Sequence, residues 1–322
     1  MTRPKHRIWL RVATGVAGSI LALFAIGIAM SWEPDRPTSV LEARWAAPPS
    51  IFIDVKGQRV HVRDEGPRDD PVPLLLIHGT SASLHTWDGW AAGLRGVRRV
   101  IRFDLPGFGL TGPRADADYS DATYARFTLD VADTLGLQSF SVAGNSLGGE
   151  VAWRTALLAP HRVAKLIHVD SAGYPFVPES VPPGFRMALL PGTAWIAQRT
   201  LPRGLIDASV RSVYGDPAKV TPGLIDRYFE LTLRAGNRLA LGQRLRQLNL
   251  GEAAARIREL KLPTLILWGG RDRLIPLLSA KRFAADIAGS ELVVFDALGH
   301  VPHEEDSEAT LVPVRRFLGA DR

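Results

Sequence analysis

The 322-residue chain is 46% hydrophobic and 22% charged, a composition that buries a large core, suits one elaborated domain better than two and excludes large-scale disorder. Of its formal charge of +6, Arg3, Lys5, Arg7 and Arg11 supply four charges ahead of any acidic residue, so the remainder is nearly balanced and a nucleic-acid partner has no support. Cysteine is absent, which excludes disulfides, thiolate catalysis and cysteine-held metal centres.

Taken in chain order, residues 1–32 hold a basic start and an uncharged apolar run from Val12 to Met30. As a helix that run extends about 28 Å, close to a hydrocarbon core of roughly 30 Å. Basic residues precede it, Glu33 and Asp35 follow, and Trp9 and Trp32 sit where interfacial aromatics lie, which predicts a single span with the amino terminus inside and the remainder outside, periplasmic or extracytoplasmic. A cleaved secretory signal is the competing reading, since Gly27-Ile28-Ala29 resembles a small-residue cleavage site. Residues 33–50 contain Pro34, Pro37, Pro48 and Pro49 and read as a stiff, extended tether.

From Ile51 onward, β-rich runs alternate with helical patterns. Ile51–Val55 and the run from Arg59 read as a hairpin over Lys56-Gly57, and the apolar run ending at Gly79 as a strand buried on both faces. Further strands end near Asp104, Gly144 and Asp170, with helices around Trp87–Leu94, Tyr124–Leu135 and Leu147–Leu158 between them. After residue 260 come the strand LPTLILWG, a helix near Leu278–Ile287, the strand ELVVFD and a helix near Ala309–Leu318. This alternation predicts an α/β fold: a mostly parallel sheet with helices on both faces, built from residues 51–171 and 261–322. Residues 172–260 break the pattern, with prolines and helical stretches such as the one opening at Thr221-Pro222, and read as an α-helical lid inserted after the sixth strand.

Gly144-Asn145-Ser146-Leu147-Gly148 fits G-x-S-x-G between a predicted strand and a predicted helix, where a sharp turn presents the Ser146 hydroxyl at the carboxyl end of the sheet. A serine hydroxyl needs a neighbouring base to become a nucleophile. His300, in a loop after the strand ELVVFD, is the candidate, and Asp272, after LPTLILWGG, the candidate for the acid that orients it. Asp170, after the sixth strand, is an alternative acid, with turn or cap duty the simpler role. Asp104 reads as a stabiliser of the Pro106-Gly107 turn and His78 as structural support rather than a second base. The H-x-x-H spacing of His300 and His303 suggests a metal pair, which Pro302 opposes by breaking the helix that would align the rings.

Together, His78-Gly79, Asp104-Leu105-Pro106-Gly107-Phe108-Gly109, the Ser146 elbow, Gly269-Gly270-Arg271-Asp272 and Gly299-His300-Val301-Pro302 resemble the α/β-hydrolase superfamily from about Ile51 to Leu318. The resemblance implies a serine hydrolase with the triad Ser146, Asp272 and His300, an oxyanion hole formed by the backbone N–H groups of Leu147 and Thr80, and no cofactor. The chain departs from the HGGG loop of lipases and esterases, reading His78-Gly79-Thr80-Ser81.

An apolar cluster at the start of the insertion, namely Phe176, Val177, Phe185, Met187, Leu189, Leu190, Trp195 and Ile196, is either ordinary packing or the lining of a pocket; Trp195 and Phe176 are the candidate substrate contacts. The expected substrate is a small hydrophobic ester, thioester or lactone. The alternatives are a carbon–carbon bond hydrolase of the same fold, which the Gly144–Gly149 segment also resembles, and a non-catalytic small-molecule receptor on this scaffold. Oligomeric state is not legible in the sequence.

Overall fold

The computed structural model describes residues 4–189, 195 and 198–320. Its first helix, Pro4–Met30, contains the stretch Val12–Met30, with a mean hydropathy of 2.1 and none of it buried. By length and composition this helix is able to cross a bilayer.

Eight strands form one sheet among the described residues: β1 (Ser50–Val55), β2 (Gln58–Glu65), β3 (Leu74–Ile77), β4 (Val100–Phe103), β5 (Phe140–Asn145), β6 (Val163–Val169), β7 (Thr264–Gly269) and β8 (Glu291–Phe295). Their order is β1-β2-β4-β3-β5-β6-β7-β8. The β1–β2 hairpin is antiparallel and β2 joins β4 antiparallel, whereas β3 to β8 pair in parallel. Strand residues alternate between two cores: Leu75 and Ile77 of β3 and Ile266 and Trp268 of β7 pack into one, and Leu74, Leu76, Leu265 and Leu267 into the other. A sheet buried on both faces accounts for the near-continuous apolar runs in these strands.

Helix limits follow local chemistry. The helix Asp121–Thr134 begins three residues before the position its apolar pattern marks, because Ser120 accepts the N–H of Thr123 as a cap. The last helix, Ser307–Leu318, likewise starts early under an Asp306 cap.

No strand lies between β6 and β7 among the described residues. The intervening segment carries the helices Pro183–Leu189, Arg203–Arg211, Pro222–Thr232 and Asn237–Arg246. Thr221 caps the third of these with proline in its first turn, as its sequence predicts.

The tether expectation is corrected. Thr38–Trp45 is a helix, and Leu41 is 1% exposed in a cluster with Leu110 and Leu231. The segment before it is stitched to the insertion by backbone bonds: Leu201 N–H to Ser31 O (2.9 Å), Glu33 N–H to Arg199 O (2.8 Å) and Arg36 N–H to Leu233 O (2.7 Å). Glu230 then gathers Arg36 at 2.8 Å, Trp45 Nε1 at 2.8 Å, and Arg44. Docking against the insertion, and not extension, satisfies this backbone.

Candidate active site

Ser146 occupies the turn between β5 and the helix Leu147–Leu158, at φ 56° and ψ −118°. A non-glycine residue there is strained and persists only where its surroundings enforce it. They do so through close approach. A Cβ on Gly148 would lie 2.1 Å from Ile77 O, and one on Gly144 would lie 2.0 Å from Gly148 O, so both glycines of the motif are required for the helix to meet β3 and β5. Ser146 N–H binds Val169 O at 3.1 Å, and the Asn145 amide donates to Val169 O (3.1 Å) and His300 O (2.9 Å). Asn145 thereby ties the Ser146 turn to the histidine loop, a role its place inside the motif did not announce.

His300 Nδ1 lies 2.7 Å from Asp272 Oδ2. Asp272 Oδ1 accepts the N–H groups of Leu274 (2.8 Å) and Ile275 (3.0 Å), so its carboxylate is fixed at both oxygens. With Nδ1–H donated to Asp272, Nε2 of His300 is left as the acceptor for a serine proton. The His300 loop is held from the insertion: its N–H binds Val213 O at 2.8 Å. Glu305 accepts from Gly299 (2.8 Å), Gly215 (2.9 Å) and Asp216 (2.8 Å), a hub not visible in the sequence because its partners are distant backbone amides.

Asp170 follows β6 at φ 44° and is fully buried. Its Oδ1 accepts Gly269 N–H at 2.9 Å, and its Oδ2 meets no partner. Polar atoms of Asp170, Asp272 and His300 lie within 4.8 Å of one another. Burial first, and the nearby Asp272 charge second, push the Asp170 carboxyl well above the usual carboxylate range. Asp272 has amide donors on one oxygen and the imidazole on the other, whereas Asp170 has a single amide donor. This trio is also the group best placed to hold a metal among the described residues, yet Asp272 and His300 are already committed to each other and Asp272 to two amides. His303 is not part of it. Its Nε2 meets Thr86 Oγ1 at 3.1 Å and its ring lies 4.0 Å from that of Trp87, so the H-x-x-H spacing does not form a metal pair.

His78 supports the loop after β3: its Nδ1 meets Gly79 O (2.7 Å) and its Nε2 accepts Leu105 N–H (2.9 Å). Burial lowers its pKa, in keeping with a neutral structural ring. Asp104 organises the loop after β4 through the N–H groups of Leu84 and Leu110, each at 2.7 Å. A second hydroxyl–imidazole–carboxylate line runs from Ser50 through His61 to Asp104, at 2.9 and 2.8 Å. None of its members lines the cavity at Ser146, and Ser50 Oγ also accepts from Arg63 Nε; this line fastens β1 to the loop after β4.

A cavity of about 120 Å³, several times the ~10–15 Å³ that one buried water requires, has Ser146 and His300 in its wall together with Gly79, Thr80 and Asn145. Leu147 is the first residue of its helix, where an N–H has no intrahelical acceptor. The roof comes from the insertion: Phe185 and Met187 of its first helix, Leu205, Ile206 and Val210 of its second, and Leu241 of its last. The two substrate contacts expected from the sequence are corrected. Phe176 packs against the main core, and Trp195 is 55% exposed with Arg199 against its ring; neither lines the cavity. Leu190 and Ile196 lie outside the described residues. The missed residues had a signal: Leu205, Ile206, Ser209 and Val210 share one face at helical spacing.

Residues 72–307 match the family model for the alpha/beta hydrolase fold. A 2-hydroxymuconate semialdehyde hydrolase of Pseudomonas putida is 30% identical over 272 residues, covering 81% of this chain and 91% of that protein. Among solved structures, a bacterial membrane phospholipase A superposes with a TM-score of 0.71 at 24% identity over 98% of each chain. A meta-cleavage product hydrolase from Pseudomonas fluorescens IP01 gives a TM-score of 0.73 at 24% identity over 84% of this chain and 98% of its own. The two structures, at that identity, speak to the fold alone. With a strained serine turn after β5, a carboxylate after β7 and a histidine after β8 on one parallel sheet, and with the family match over most of its length, this chain belongs to the α/β-hydrolase family.

Proposed function

We propose that this hydrolase is a membrane-anchored serine esterase acting on a carboxylic ester, thioester or lactone with a hydrophobic portion. The observation that carries the reading is the shared wall: Ser146 and His300 face one mostly apolar cavity roofed by the insertion. In the cycle, His300 takes the Ser146 proton as the hydroxyl attacks the carbonyl, and Asp272 stabilises the imidazolium. The N–H groups of Leu147 and Thr80 receive the oxyanion. His300 then protonates the leaving group and activates the water that releases the acyl chain. The helix Val12–Met30 is assigned as the anchor, with the amino terminus inside and the catalytic body outside. The length, hydropathy and exposure of that helix support the anchor assignment.

A carbon–carbon bond hydrolase is the second reading, favoured by the 30% identity to the 2-hydroxymuconate semialdehyde hydrolase. Turnover of 2-hydroxymuconate semialdehyde and of p-nitrophenyl esters of graded chain length separates the two. On the ester reading the esters are cleaved, the semialdehyde is not, and Ser146→Ala costs about 10⁴-fold or more in kcat. A loss below about tenfold removes the serine mechanism, and turnover of the semialdehyde alone replaces the ester reading with the second.

A further inference from the structure

One side chain in the cavity wall does not fit an uncharged substrate. Arg238, on the insertion helix Asn237–Arg246, lines the same cavity as Ser146, and its side chain is 5% exposed. Its Nη2 donates to Asp35 Oδ1 at 2.6 Å. Its Nε and Nη1 are buried and meet no acceptor. Among the described residues, Arg238 is the single permanently charged side chain in the cavity lining, which is otherwise largely Leu, Ile, Val, Phe and Met with small residues. The one carboxylate on it comes from outside the cavity, from the segment joining the apolar helix to the catalytic body, and Asp35 is itself 42% exposed.

A guanidinium with two idle donors in an apolar wall is costly unless something is bound there: each buried donor without an acceptor forfeits the hydration it had in water. Apolar side chains would serve an uncharged acyl chain better. Arginine is also the residue suited to planar carboxylates and to phosphates, because its donors are fixed in a rigid fork and its charge is permanent.

We propose that Arg238 recognises an oxyanion on the substrate, so that the ester cleaved at Ser146 is an amphiphile bearing an apolar chain and one negative group, a carboxylate or a phosphate. The inference rests on the serine esterase reading and deepens it. Asp35 is then the group that holds Arg238 in place and competes with the substrate anion for its charge.

Two matched pairs of esters test this. The first is the mono-p-nitrophenyl ester of a long-chain dicarboxylic acid against its neutral methyl-capped counterpart. The second is an acyl ester of a glycerol phosphate against the corresponding uncharged acylglycerol. A charge-assisted contact predicts that the wild-type enzyme favours the anionic member of at least one pair by about tenfold or more in kcat/KM, and the pair that responds tells carboxylate from phosphate. Arg238→Gln brings that ratio to about one, and Arg238→Lys restores part of it. Asp35→Asn, which keeps the arginine and removes its competitor, raises the ratio above wild type. A ratio near one for both pairs in the wild-type enzyme overturns the proposal, as does a preference that survives in Arg238→Gln. If Arg238→Gln does not fold, Asp35→Asn decides: a lowered Tm with an unchanged ratio makes the pair purely structural. Loss of turnover in Ser146→Ala, measured on the same esters, keeps the esterase reading standing whichever way the ratio falls.

Discussion

Two carboxyl groups within 4.8 Å of each other and of one imidazole do not share the work equally. Asp272 takes two amide donors besides His300, whereas Asp170 has one donor and an oxygen without a partner, and burial with the nearby Asp272 charge pushes the Asp170 carboxyl upward. Asp272→Asn is therefore expected to lose about 10⁴-fold in kcat by spoiling the imidazole tautomer. Asp170→Asn leaves the His300–Asp272 contact in place and is expected to stay within roughly tenfold; steady-state kinetics on one ester, with both variants folded by circular dichroism, check the difference. The places of Ser146, Asp272 and His300 after β5, β7 and β8 were legible because each follows a strand in a short motif. The upward shift of the Asp170 carboxyl was not, since it depends on a distance that only the folded sheet creates. Trp195 and Phe176 misled for a related reason: an apolar composition says that a residue is to be covered, and not by what.

At the scale of the element, the helix Leu147–Leu158 is coupled to the insertion through buried charge. Glu150 in its first turn meets Arg154 at 3.0 Å, Arg154 approaches Asp121 at 4.0 Å, and Asp121 is held at 2.6 Å by Arg244 of the insertion. Burial, reinforced by the Asp121 charge and opposed by Arg154, pushes Glu150 from its ordinary 4.5 up to about 7, and Asp121 moves in the same direction. A carboxyl raised on folding binds more protons in the folded state than in the unfolded one. Its favourable contribution is complete below pH 4.5 and is lost as pH rises through about 7. Thermal unfolding followed across that window should show stability falling with pH in the wild-type protein and a flatter dependence in Glu150→Gln. The strands and sheet helices were readable from periodicity. The helix Thr38–Trp45 was not, because its one deeply buried residue, Leu41, gives no periodic signal and its support comes from Leu110 and Leu231, far away in the chain.

For the whole molecule, the anchor reading has a direct consequence in fractionation. The full-length chain is expected in the membrane fraction at its unprocessed mass, released by detergent and not by high salt, since apolar burial rather than charge would hold it. A mature chain starting near Met30 in the soluble fraction would instead make the same residues a cleaved signal. The basic start and the apolar run made both outcomes legible; the length of the run favoured the span, and their shared physics kept the signal as the competing reading.

The docked segment from Ser31 to Trp45 bears on how such an enzyme would sit. A catalytic body on a slack leash wanders over a hemisphere and meets its substrates at many heights. Here the first residue beyond Met30 is already hydrogen-bonded to the roof of the cavity, so the leash has almost no length. With its helix in a bilayer, the body would ride at a set altitude, and equally reactive esters would be ranked by the depth at which their carbonyls are presented.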